Sequence, residues 1–232
     1  MRSSEDIAEF FIGWMKENNN HDLSHLIQVS VVTGCYDSEN DLVKFLLKLN
    51  DVLKRYAFSG KIFYLGSMLT SHSAIKKLST IDSFGYCLSL ECFERRSVLK
   101  NSKAVLTLPN IKEIMQECLS NGFEVNYTYV MGMEPIEVFL PYMQEFIEFT
   151  NKFPTINVLQ LHQQHSKELL DDSAKDISYF YKARVAIQEL FKQTSMRPLV
   201  WEDYRTLWYL KFADEHLFGD RFPEFFWKNK VK

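Results

Sequence analysis

Five short runs along the chain share a two-residue rhythm: IQVSVVT (27–33), KIFYLG (61–66), YCLSLE (86–91), EVNYTYVMG (124–132) and INVLQLH (156–162). Successive side chains of a strand point to opposite faces, so this rhythm predicts strands. The stretches between them repeat apolar residues at intervals of three and four, the period of a helix. Leu42, Leu46, Leu49 and Leu53 share one face of 39–57. Ile111, Ile114, Met115, Cys118 and Leu119 share one face of 110–121, and Phe139, Met143 and Phe146 one face of 136–150. Ser38 can cap the first of these helices, and Ser71 or Ser73 a short one near Ile75. Pro109 and Pro135 suit first turns, and Gly60 and Gly122 suit helix ends.

This alternation of strand and helix predicts a parallel sheet with covering helices. In an open doubly wound sheet both strand faces are apolar. Here four of the five strands divide. Gln28 and Ser30 oppose Ile27, Val29 and Val31; Cys87, Ser89 and Glu91 oppose Tyr86, Leu88 and Leu90. Asn126 and Thr128 oppose Val125, Tyr127 and Tyr129, and Gln160 and His162 oppose Leu159 and Leu161. Only KIFYLG lacks the division. One face for helices and one for a polar, ligand-holding interior is the plan of a (β/α) barrel. The expected fold is therefore α/β: a partial TIM-like barrel of parallel strands over 1–170, then a C-terminal helical extension over 171–232 packed on it. In the extension, Tyr179, Ala183, Ala186 and Leu190 align along 174–193, and Trp201, Tyr204, Trp208 and Phe212 along 201–218.

Composition narrows the classes of function. A net charge of −3 over 232 residues gives no footprint for nucleic acid or an anionic membrane. No apolar run approaches the roughly 20 residues of a membrane span. The N-terminal residues are acidic where a signal peptide would be basic, which predicts a cytoplasmic protein. Glu94-Arg95-Arg96 reads as a solvated loop. The cysteines, Cys35, Cys87, Cys92 and Cys118, form neither a CxxC pair nor a zinc spacing, and read as free thiols in a reducing compartment. No P-loop or nucleophile elbow occurs.

The C-terminal ends of the strands, where barrels place their chemistry, carry Gly34 and Cys35, Gly66 and Ser67, Glu91, Gly132 and Glu134, then His162, Gln163 and His165. Glycine there lets backbone approach a ligand. From TGCYDSEN through YCLSLE and GFEVNYTYVMGMEP to LQLHQQH, the chain resembles the later part of the radical S-adenosylmethionine barrel, with the biotin-synthase-like branch nearest.

The resemblance implies S-adenosylmethionine as cofactor and assigns roles. Thr33, Gly34 and Cys35 stand where the family's Gly-Gly-Glu-like turn holds the methionine amino group; lacking an acid, they would offer backbone carbonyls. Ser89 and Glu91 stand where the ribose hydroxyls are held. Met131 and Gly132 stand on the strand bordering the adenine. Gln28, Asn126, Gln160 and His162 would face the substrate, whose identity is not legible.

The family's [4Fe–4S] cluster is held by CxxxCxxC, which this chain lacks. In the resemblance, residues 3–20 match the helix after the cluster loop, so the cysteines would precede Met1. The chain is then either a truncated product, completed by its missing part or a partner chain, or a natural cluster-free barrel. Alone it is not expected to cleave S-adenosylmethionine reductively. The alternatives are a barrel that binds a nucleotide-like ligand or a partner, and an unrelated enzyme using Glu91 with His162 as acid and base.

Overall fold

The computed structural model describes residues 4–32, 36–99, 101–161, 164–198, 211–212 and 215–216. Its strands are β1 (Gln28–Val32), β2 (Lys61–Gly66), β3 (Phe84–Glu91), β4 (Glu124–Met131) and β5 (Thr155–Val158), in sheet order β1-β2-β3-β4-β5. The pairs β1–β2, β2–β3 and β4–β5 are parallel. Spatial order that follows chain order, with no reversal, is barrel topology; a doubly wound sheet switches direction partway. The fold is a partial α/β barrel followed by a helical C-terminal part.

Its helices are α1 (Ser4–Glu17), α2 (Glu39–Lys54), α3 (His72–Leu78), α4 (Asn101–Ala104), α5 (Leu108–Ser120), α6 (Ile136–Phe146), α7 (Gln164–Leu169) and α8 (Ile177–Phe191). No described helix is long and apolar enough to cross a membrane.

The helix starts follow the capping residues. Ser38 accepts the Asp41 N–H at 3.2 Å, Ser71 the Ala74 N–H at 3.3 Å, and Thr107 the Asn110 N–H at 3.3 Å. Pro109 lies in the first turn of α5, whereas Pro135 is the N-cap of α6. Gly122 ends α5 with φ +79°. Gly60 does not play that part for α2; Ala57 takes the left-handed conformation there, at φ +61°. Gly60 is instead required by close approach, since a Cβ on it would meet the Ile27 carbonyl oxygen at 2.6 Å.

Three expectations are corrected. The last strand is Thr155–Val158, not 156–162: Leu159 leaves the ladder after its N–H reaches the Met131 carbonyl at 2.9 Å. Gln160 therefore lies beyond the strand. The buried line of α8 is Tyr179, Ala183, Ile187 and Phe191 rather than one through Ala186 and Leu190. Of the helix expected at 201–218, the described residues form an antiparallel pair, β6 (Lys211–Phe212) with β7 (Glu215–His216); the rest lies outside the described residues.

The chain divides into two compact units, residues 1–89 with 100–127, and residues 90–99 with 128–232. In the first, α1 packs on α2, α2 on α3, and α3 on α5. Tyr64 and Tyr86 stack at 5.6 Å, and Phe84 meets Phe123 at 4.9 Å. In the second, α6 packs on α8, and Phe93, Tyr129, Phe139 and Phe146 form an aromatic core, Phe93 lying 5.4 Å from Tyr129 and 5.4 Å from Phe146.

Candidate functional site

The strand registers sort side chains by face. In the first unit, Ser30 pairs with Phe63, and Phe63 with Gly85. Gln28, Ser30, Lys61, Cys87 and Ser89 therefore share one face, opposite Tyr64 and Tyr86. KIFYLG is thus not without a polar side: Lys61 supplies it, and its Nζ lies 2.6 Å from Glu124 Oε2 on β4. Asn126, two residues along β4, points the same way as Glu124. Ser89 and Asn126 are buried, Gln28 is half-buried and Ser30 exposed. Gln28 donates its amide N–H to Ser30 Oγ at 2.9 Å, so the two serve each other.

At the strand ends of this unit, Glu39 accepts the backbone N–H groups of Thr70 and Ser71, the latter at 2.8 Å, and the Ser71 hydroxyl at 2.6 Å. Burial opposes ionisation of Glu39, but the Ser71 hydroxyl and the two N–H groups outweigh it and hold its pKa below the ordinary carboxylate value. A cleft of about 380 Å³ lies between α3 and α5, lined by Thr70, His72, Ile75, Asn110, Ile114 and Glu117. It contains none of the site residues expected from the sequence.

In the second unit, Thr128 on β4 pairs with Thr155 on β5, and Val130 with Asn157. The Thr128 and Asn157 side chains therefore share a face, opposite Tyr129, which packs on Phe139 of α6 at 5.1 Å. Thr128 Oγ1 and Asn157 Oδ1 are buried with no hydrogen-bond partner among the described residues. Neither Thr155 nor Asn157 was expected as a site residue. Thr155 precedes the run read as starting at Ile156, although Pro154 before it is a boundary signal. Alternation put Asn157 on the apolar face of Leu159 and Leu161, which the register with β4 corrects.

The end of β3 in this unit is built around Glu134. Glu91 closes the strand in the left-handed region, φ +72°, and reverses the chain. The backbone N–H groups of Phe93, Glu94 and Arg95 then converge on the buried Glu134 carboxylate at 3.0, 2.6 and 3.0 Å, and the Tyr129 hydroxyl reaches it at 3.3 Å. Such a run of N–H groups is an anion-binding nest, here filled by the protein's own side chain. Burial, then the charge of Glu134, pushes the Tyr129 phenol well above its ordinary pKa, so it stays a donor.

Glu94-Arg95-Arg96 is not a solvated loop. Arg95 donates to the carbonyls of Met133 at 2.9 Å and Leu169 at 2.7 Å, and the buried Arg96 to those of Leu90 at 3.1 Å and Cys92 at 3.0 Å. Gly132 has φ +105°, and its carbonyl accepts the Asp171 N–H at 2.8 Å. The Met131 carbonyl is taken by Leu159, and its side chain is buried on the face of Tyr129. Thr33, Gly34, Cys35, His162 and Gln163, and the side chain of His165, lie outside the described residues.

The three described cysteines do not fit an iron–sulfur cluster, and Cys35 lies outside the described residues. Cys87, Cys92 and Cys118 are buried, and no three metal-ligating side chains come together among the described residues. Burial, then Glu134, pushes the Cys92 thiol up to about 12, and burial does the same for Cys118. A cluster needs thiolates.

No family model and no curated relative matches the sequence. Solved structures do match. SuiB from Streptococcus suis bound to S-adenosylmethionine has a TM-score of 0.59 and 11% identity, over 84% of this chain and 43% of its own. A second SuiB structure gives the same score over 42% of its length. Coproporphyrinogen III oxidase (HemN) from Escherichia coli, a radical SAM enzyme, gives 0.52 and 12% identity, over 83% of this chain and 47% of its own. The chain spans less than half the length of these proteins. At such identities the likeness is one of fold: the chain shares the fold of radical SAM enzymes.

Proposed function

We propose that this chain, folded as part of a radical SAM barrel, binds S-adenosylmethionine or a closely similar nucleoside on the polar side of its strands and does not cleave it unaided. The observation that carries the reading is the pair of buried side-chain oxygens on β4 and β5, Thr128 Oγ1 and Asn157 Oδ1, without a partner among the described residues. A buried oxygen left unbonded costs about 1–3 kcal/mol. Asn157 Oδ1 can only accept, so the ligand must bring donors. The ammonium, the ribose hydroxyls and the adenine amino group of S-adenosylmethionine are donors of that kind.

Glu91, at the end of β3, is apt for ribose hydroxyls, since a carboxylate accepts two such bonds. The resemblance assigns Met131 and Gly132 to the adenine, although their carbonyls are engaged within the protein and the Gly132 N–H is directed at the Tyr179 hydroxyl. The resemblance adds Ser89 to the ribose contacts, Thr33, Gly34 and Cys35 to the amino-group contacts, and Gln28, Asn126, Gln160 and His162 toward substrate. Bound S-adenosylmethionine would supply a cleavable sulfonium. The cysteines described here would supply no cluster to reduce it, which favours a binding role for the chain on its own.

Calorimetric titration of the folded chain with S-adenosylmethionine and S-adenosylhomocysteine tests the reading. A saturable heat with a Kd of about 1 mM or tighter is expected for one or both. No heat at millimolar ligand would remove it.

A further inference from the structure

The cleft between α3 and α5 plays no part in the reading above, and its chemistry is one-sided. It holds about 380 Å³ within the first unit, inside the size range of small-molecule sites. Its floor is apolar: Ile75 of α3 and Ile114 of α5 are buried, and Leu106, just before α5, is half-buried. Its rim is acidic. Glu113 and Glu117 stand one turn apart on the same side of α5, where like charges repel. No lysine or arginine lines the cleft among the described residues.

Glu117 is fixed in place. Its Oε1 accepts the Asn121 amide N–H at 2.7 Å and lies 2.7 Å from His72 Nδ1. An ionised carboxylate only accepts, so Nδ1 carries a proton, and in the neutral ring Nε2 is left as an acceptor. Glu117 Oε2, His72 Nε2 and both Glu113 carboxylate oxygens have no partner among the described residues. Of the remaining polar lining, Asn110 Oδ1 takes the Thr107 hydroxyl at 2.6 Å, and Thr70 is turned to Glu39. The Asn110 amide N–H is the donor that remains, so acceptors outnumber donors.

We propose that this cleft binds a small organic ammonium, its apolar body on Ile75, Leu106 and Ile114 and its charged group between Glu113 and Glu117. An ammonium brings three donors and no acceptor, the complement of this rim. Its charge also relieves the repulsion between the two carboxylates. A metal ion fits less well, since no three ligating side chains come together among the described residues. A plain tether between α3 and α5 through the exposed His72–Glu117 pair needs neither Glu113 nor the cavity, and the test separates the two. The cleft shares no residue with the Thr128 and Asn157 site, and the inference does not depend on S-adenosylmethionine binding.

Amide NMR of the full chain, titrated with phenethylammonium chloride, tests it, with phenethyl alcohol as the neutral control. The amine should shift the His72, Ile75, Glu113 and Glu117 amides saturably, with a Kd of about 1 mM, and leave Thr128 and Asn157 unmoved. The alcohol should bind about tenfold more weakly or not at all. Glu113→Gln removes a carboxylate that nothing described in the fold engages; it should keep the melting midpoint and weaken the amine about fivefold or more. The proposal is overturned by absence of saturable shifts at these amides at about 20 mM amine, by equal binding of the alcohol, by shifts centred on Thr128 and Asn157 instead, or by unchanged affinity in Glu113→Gln.

Discussion

Lys61 and Glu124 form an ion pair across β3, and the notch that lets them meet is Gly85. Nζ and Oε2 are 2.6 Å apart, and both side chains are less than a third exposed. A Cβ on Gly85 would lie 2.6 Å from Phe63 Cδ2 and 3.3 Å from Lys61 Cδ. The glycine is therefore required by packing rather than by backbone conformation. Gly85→Ala should push the Phe63 ring and the lysine stem aside and destabilise the fold by about 1–3 kcal/mol. Thermal unfolding reads this directly; an unchanged midpoint would show that the notch is not tight.

Glu39 ties the start of α2 to the start of α3, and its folded-state pKa is depressed. Its contribution is therefore present above its unfolded-state pKa and is lost as pH falls through the lower folded value. Wild type should exceed Glu39→Gln in stability at pH 7, and the difference should close as pH drops below about 4. Denaturant midpoints of both proteins at a series of pH values give the comparison.

Removing the Glu134 carboxylate leaves three backbone N–H groups and the Tyr129 hydroxyl without their acceptor. With about 1–3 kcal/mol for each buried group left unbonded, Glu134→Ala should lose more than about 3 kcal/mol. The emptied nest should then take a small anion. Formate should raise the melting midpoint of the Ala variant and leave wild type unmoved.

Thr128→Val separates ligand binding from folding. With no partner for the hydroxyl among the described residues, valine should leave the ligand-free chain as stable or about 1 kcal/mol more so. Affinity for S-adenosylmethionine should fall by about tenfold. A stability loss with unchanged affinity would place the hydroxyl in the fold rather than at a ligand.

The thiols of Cys92 and Cys118, both held near 12 by burial, should resist iodoacetamide at pH 8 in the native chain and react once denaturant exposes them. Mass spectrometry of digests locates the labelled positions.

The strands and their order were legible because β-branched and aromatic residues alternate with polar ones over β1, β3 and β4, and because Ser38, Ser71 and Thr107 mark helix starts. The stop of β5 was not. Leu159 and Leu161 prolong the apolar rhythm, and the strand stops because its partner β4 ends at Met131, the bond from the Leu159 N–H to the Met131 carbonyl being the last rung. Glu134 could be seen at a strand end, but its role depends on three N–H groups about forty positions earlier. Arg95 and Arg96 looked like surface charge because their acceptors are carbonyls, which every residue carries and no sequence pattern marks. Lys61 was hidden at the first position of an otherwise apolar run.

The filling of the nest by Glu134 bears on how a visitor would be received. Residues 93–95 already hold an acceptor and need none from outside to become ordered, so an arriving molecule forfeits little of its binding energy to immobilising that turn. The chain pays that entropy once, at folding. Encounter at this rim is then governed by access and diffusion rather than by the rate at which a loop finds its shape.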